Sequence, residues 1–226
     1  MKPSYHIAIT SEALQERVAP HALQVILAAN VRQDNLDGQL RHPEYHFDNN
    51  GLAEGQAYLD GQRDLLVQAV KAGEIRSARQ AFGRLTHTAQ DFYAHSNYVA
   101  LWLGHQPSAS TAQPEDIDPL NPVVLSDPEL RSGHVYYPWE ALTFVSFLAP
   151  LARLLLPHDA HAWMNLDDPR RGPRFAYARA AALRRTIYEF QLINSLLSLE
   201  EMQCFTGLTQ PQVSIPQQPS DIRSIL

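Results

Sequence analysis

Apolar positions recur at helical spacing through most of the chain and never alternate at strand spacing for more than a few residues. The pattern predicts an all-α fold, a compact multi-helix bundle around one core. Thr10 or Ser11 reads as the N-cap of a first helix, with Glu12 in its first turn. Pro20 opens a second helix that runs through Leu23, Val25, Ile26 and Leu27 to about Val31. Leu52 to Ala72 is helical again, with Gly73 as its C-cap. Ile75 to about Leu103 forms one long helix with Ala78, Phe82 and Leu85 on its core stripe. Pro138 to Leu156 is helical with a break near Pro150, and a last long helix spans about Arg174 to Phe205. Between these lie a polar loop at 32–51, punctuated by Gly38, Pro43 and Gly51, and a proline-rich segment at 104–137 that reads as a lid or insert. Residues 1–208 form one domain, and 209–226 is a Pro/Gln-rich tail, extended or disordered.

The formal charge of -6 argues against a long electrostatic footprint on nucleic acid. Ten histidines in 226 residues are a surplus that calls for an explanation. Cys204 is the only cysteine, so thiolate metal cages are excluded and any metal site is built from imidazole and carboxylate. The N-terminal MKPSYHIAIT lacks a secretory signal's apolar run, and no apolar stretch reaches membrane-spanning length. The expected location is cytoplasmic, or exported by a signal-independent route.

The chemistry gathers around RLTHTAQDFYAHSNY. His87, Asp91 and His95 stand four apart, so they project from one helix stripe about one turn from each other. Ala89, Phe92, Tyr93 and Ala94 give that helix an apolar flank to bury. Further ligand-type residues lie in separate islands: His6 just ahead of the first helix, Asp34 and His46 in the first polar loop, and His161 in the turn before the last long helix. In a bundle, such positions can converge on one interior cleft. More donors than one tetrahedral zinc requires point to several ions with a bridging carboxylate. Asp48, two residues after His46, is a candidate to orient a ligand imidazole.

The H-x3-D-x3-H set, preceded by EYHFDN and by HIAITSEAL, resembles the zinc-dependent phospholipase C / P1 nuclease superfamily, and its HET-C-like branch most. That resemblance implies a multi-helix bundle and a zinc-dependent phosphoric diester hydrolase with two or three Zn2+ per chain. It implies metal ligands at His6, Asp34, His46, His87, Asp91, His95 and His161, with Asp34 also orienting the attacking water or accepting its proton. By the same resemblance, Asp167 or Asp168 stands in for the family's later carboxylate, and the Met1–His6 spacing places an unblocked α-amine at the cluster. The expected activity is phospholipase C acting on a phosphatidylcholine-like substrate at a transient membrane-surface contact. The alternatives are a single-strand nuclease or other phosphodiesterase on the same fold, and a catalytically silent HET-C-like interaction module.

Overall fold

The computed structural model describes residues 1–107, 111–137, 139–144 and 149–208; the expected tail from 209 onward lies outside them. The described residues are helical with no strands, so the fold is all-α.

The first helix, α1 (Pro3–Leu14), starts earlier than expected because Pro3, not Thr10, provides the helix start. Thr10 is fully buried in mid-helix, where its Oγ1 accepts a hydrogen bond from Gln90 Nε2 at 2.9 Å. His6 therefore lies within α1 rather than ahead of it. The second helix, α2 (Pro20–Val31), begins at its proline as expected. Residues 32–51 are not a plain loop. A 3-10 turn at Arg32–Asp34 leads into a short helix, α3 (Leu36–Arg41), which Asn35 caps by accepting from the Gly38 N–H at 2.7 Å.

Next come α4 (Leu52–Lys71) and α5 (Ile75–His95). The expected continuation of α5 to Leu103 is interrupted. Ser96 is extended, and residues 131–133 pair across it, with Gly133 N–H donating to His95 O at 2.9 Å and Asn97 N–H to Arg131 O at 3.0 Å. The helix resumes as α6 (Tyr98–Gly104). Short helices α7 (Pro122–Leu125), α8 (Ala149–Leu155) and α9 (His161–Met164) follow. The last long helix also divides, into α10 (Arg174–Leu196) and α11 (Leu199–Thr206). Ser198 makes the break with a capping box, Ser198 N–H donating to Glu201 Oε2 at 2.8 Å and Glu201 N–H to Ser198 Oγ at 3.3 Å.

Helix α5 is the axis of the bundle, packed by α2, α4 and α10. Every residue from Leu85 to His95 is buried, so this helix is enclosed on all sides. Close approach of α2 depends on Gly83: a Cβ there would stand 2.3 Å from Ile26 O and 2.8 Å from Ala29 Cβ. The segment 104–137 is pinned to this core by the buried Ile117 and Val124. Tyr93 Oη donates to Pro119 O at 2.7 Å, and Arg184 Nη1 to Ile117 O at 2.9 Å.

Candidate metal centre

Because α5 is enclosed, its polar residues must be satisfied inside the protein. Asp91 is fully buried and sits at the centre of the cluster. His46 Nδ1 lies 2.8 Å from its Oδ2 and His87 Nε2 lies 3.1 Å from the same oxygen. His6 Nε2 is 3.1 Å from its Oδ1, and His95 Nε2 is 3.9 Å from it. The Met1 amine, also buried, pairs with Asp91 Oδ1 and lies 3.4 Å from Asp167 Oδ1. Asp34 reaches the group from the 3-10 turn after α2, its Oδ1 3.8 Å from His87 Nε2.

A second set adjoins the first across His95. Asp48 Oδ1 is 3.2 Å from His95 Nδ1 and 2.9 Å from His161 Nδ1. Asp167 Oδ1 is 3.1 Å from His95 Nε2. All seven residues expected as ligands thus come together, drawn from α1, the 32–51 segment, α5 and α9. Two groups have ligand atoms within 4.8 Å of one another and could hold a metal ion: Asp34, His46, His87 and Asp91, and Asp48, His95 and His161. They open onto a cavity of about 190 Å³ with Leu40, Val135 and Tyr137 at its rim.

Asp48 meets two of the expected ligand imidazoles, sitting between His95 and His161. The reason is backbone geometry. Phe47, Asn49 and Asn50 all have left-handed φ, at 57°, 59° and 56°. Asparagine tolerates that region, but an aromatic residue there is strained by about 1–3 kcal/mol. The strain is offset by burial of the Phe47 ring, which packs edge-on against Phe92 with centroids 5.0 Å apart. Asn49 and Asn50 then tie the turn down, their Oδ1 atoms accepting from Val135 N–H at 2.8 Å and Ser132 N–H at 3.1 Å. Sequence alone offered one signal for this turn, the consecutive asparagines before Gly51.

A buried polar network aims His6. Gln90 Nε2 donates to Thr10 Oγ1 and Thr186 Oγ1, both at 2.9 Å, so its Oε1 is the acceptor left for His6 Nδ1 at 2.6 Å. Nδ1 of His6 therefore carries a proton, and Nε2 is the ring nitrogen that faces Asp91. Asp168 is turned away to Lys2 and to Arg170, 2.7 Å distant, and Asn165 Nδ2 donates to His161 O at 2.9 Å. His42 pairs with Glu44 at 2.8 Å, and His105 with Asp127 at 3.1 Å. Neither histidine lines this pocket.

Charge is unevenly tolerated here. Burial, reinforced by His6, pushes the His87 imidazole well below its usual pKa, so it is neutral. Burial also opposes charge on His95, but the Asp91 and Asp48 carboxylates overcome it and hold that imidazole protonated above its usual range. Burial favours the neutral form of Asp91 as well. The Met1 ammonium, followed by His95 and His6, outweighs it and keeps the carboxyl ionised. Asp34 is pushed up by burial and then by Asp91, the pattern of a carboxyl poised to take a proton.

The residues fit a metal. His6 Nε2, Asp34 Oδ2, His46 Nε2 and His87 Nδ1 are buried with no hydrogen-bond partner among the described residues, each at a cost of about 1–3 kcal/mol if left so. Four carboxylates, Asp34, Asp48, Asp91 and Asp167, share the pocket with four neutral-capable imidazoles besides His95.

The model of the VWA7 N-terminal domain family matches residues 4–120, just over half of the chain. The chain belongs to that family. It is 40% identical over 80 residues to von Willebrand factor A domain-containing protein 7 of Rattus norvegicus and 41% identical over 80 residues to that of Homo sapiens. Each alignment covers 35% of this chain and 9% of the relative, so the chain spans only a small part of the relatives' length. No solved structure matches. The family segment holds His6, Asp34, His46, Asp48, His87, Asp91 and His95, whereas His161 and Asp167 lie beyond it.

This overturns the resemblance to the phospholipase C / P1 nuclease superfamily and its HET-C-like branch, because the matching family and relatives are VWA7 proteins. The phospholipase C activity rested on that resemblance and falls with it, and neither the nuclease or phosphodiesterase alternative nor the silent HET-C-like module is supported by the matching family. The physical reason is that four-residue ligand spacing is how any α-helix aligns donors on one face. It specifies a geometry, not a lineage.

Proposed function

We propose that this chain is a divalent-metal-binding helical domain that holds two or three zinc ions in the Asp91 pocket. The observation that carries the reading is the gathering of four carboxylates and five imidazoles into one contiguous cluster around the buried Asp91 and His95. Two divalent ions would balance four carboxylates with the imidazoles neutral. Imidazole–carboxylate sets suit zinc better than magnesium or calcium, which favour all-oxygen cages. One ion would be held by Asp34, His46, His87 and Asp91, and another by Asp48, His95 and His161 with Asp167 beside them. His6 and the third position would share Asp91.

Bound zinc would supply an acidified water, with a pKa lowered to about 7. The chain's own part in such chemistry is to hold ligand tautomers through Gln90 and to offer the Asp34 carboxyl as a proton acceptor. Elemental analysis of wild-type and His87→Ala protein tests the reading. Two or three zinc ions per wild-type chain, with at least one lost in the variant, is the expected result.

A further inference from the structure

Outside the metal centre, the bundle contains a larger cavity, about 460 Å³, lined in part by Phe47 and Phe92. That volume falls in the range of small-molecule sites, roughly 300–1,000 Å³. Its walls are mostly apolar, with Leu59 from α4, Leu120, Leu125 and Leu130 from the 104–137 segment, and Leu192 from α10. Set into this wall are two guanidinium groups, Arg63 and Arg185.

The two arginines share one carboxylate. Glu189, fully buried, accepts from Arg185 Nε at 2.7 Å and from Arg63 Nε at 3.1 Å and Nη2 at 3.2 Å. Arg63 spends its Nη1 on Asp60 at 2.5 Å, toward solvent. Arg185 has no such second anion among the described residues. The residue is buried, and its guanidinium lies 5.8 Å from the Tyr188 ring centroid and, besides Glu189, interacts with the Tyr93 hydroxyl. That hydroxyl donates to Pro119 O and accepts from the guanidinium. Two guanidinium groups therefore share one buried carboxylate at the inner end of the cavity, Asp60 meeting Arg63 only on its solvent side, and among the described residues the Arg185 Nη atoms meet no carboxylate. A buried guanidinium of this kind is strongly favoured by a planar anion that takes two parallel N–H bonds.

We propose that this cavity binds a small amphiphilic monocarboxylate, its carboxylate on Arg185 and its hydrocarbon tail along the leucine wall. Charge complementarity selects the head, and the apolar lining selects the tail. The site shares no lining residue with the cavity at the metal centre.

The test is calorimetric titration of the full chain with decanoate in the presence of a chelator, so that a carboxylate cannot score by ligating zinc. Saturable binding is expected, with decanol and decyltrimethylammonium at least tenfold weaker. Leu130→Trp, which fills the cavity without touching a charge, should lower decanoate affinity at least tenfold. Arg185→Lys should lower it less than Arg185→Met, and comparison of their thermal melts separates loss of the site from loss of the fold. Equal affinity for decanol and decanoate, unchanged binding by the Leu130→Trp protein, or no binding of decanoate by the wild type would each overturn the proposal.

Discussion

Replacing Asp91 by asparagine keeps the shape of the residue at the middle of the cluster and removes its charge. In the native pocket this carboxylate meets the Met1 amine, His6, His46 and His87 within 3.1 Å or less, and His95 at 3.9 Å. Two consequences follow, and they separate experimentally. With chelator present, the substitution breaks buried ion pairs and leaves the Met1 ammonium and the protonated His95 under-compensated, at a cost of about 3–5 kcal/mol. With zinc present at a thousandfold excess over Kd, native protein gains about 4.1 kcal/mol from binding. For a chain of 226 residues each kcal/mol moves Tm by about 2–4 °C, so zinc should raise the wild-type Tm by about 8–16 °C. The substituted protein should lose most of that shift. Thermal melts of both proteins, each in chelator and in zinc, give the four numbers required. A zinc-induced rise of equal size in the two proteins would refute the placement of Asp91 between the ions.

Three further outcomes follow from the geometry. A Cβ at Gly55 would stand 2.5 Å from the Phe47 ring, so Gly55→Ala should displace the His46–Asp48 turn and lower zinc affinity without altering any ligand, read by competition with a chromogenic chelator. Gln90→Leu removes the acceptor that fixes the His6 tautomer and should weaken zinc binding about 10–100-fold, whereas Gln90→Glu, which keeps the acceptor, should weaken it less. In chelator, the Tm should pass through a maximum with pH. Asp48 and Asp91 are depressed in the folded state, so their contribution is present above the unfolded carboxylate value of about 3.9 and is lost as pH falls below it. His95 is raised, so its contribution is full below about 6.5 and is lost as pH rises through its folded value. A Tm that stays flat from acid to alkaline pH would contradict both shifts.

The central helix was legible because side-chain direction on a helix follows from residue number: His87, Asp91 and His95 could share a face in no other way. The core stripe of Ala78, Phe82 and Leu85 was legible for the same reason, and all three are fully buried. What escaped was set by local backbone chemistry. Pro3 moved the start of α1 so that His6 lies inside it, and Asn35 built α3 in a stretch whose composition reads as loop. Ser96 divided a helix whose periodicity runs on without a break, because a pairing partner 36 residues away at Ser132 competes for its backbone. Which imidazoles Asp48 meets was not legible, because that depends on the left-handed Phe47, which no propensity favours. The family was misread for a different reason: a ligand pattern that any helix can display was taken together with loosely matching islands as descent.

Metal content tests the central claim most directly. Protein purified without added metal, then loaded with zinc, desalted and measured by inductively coupled plasma mass spectrometry, should retain two or three zinc ions per chain, and the His87→Ala, Asp91→Asn and His161→Ala proteins should each retain fewer. Wild-type protein that folds but keeps less than one zinc per chain would contradict the account.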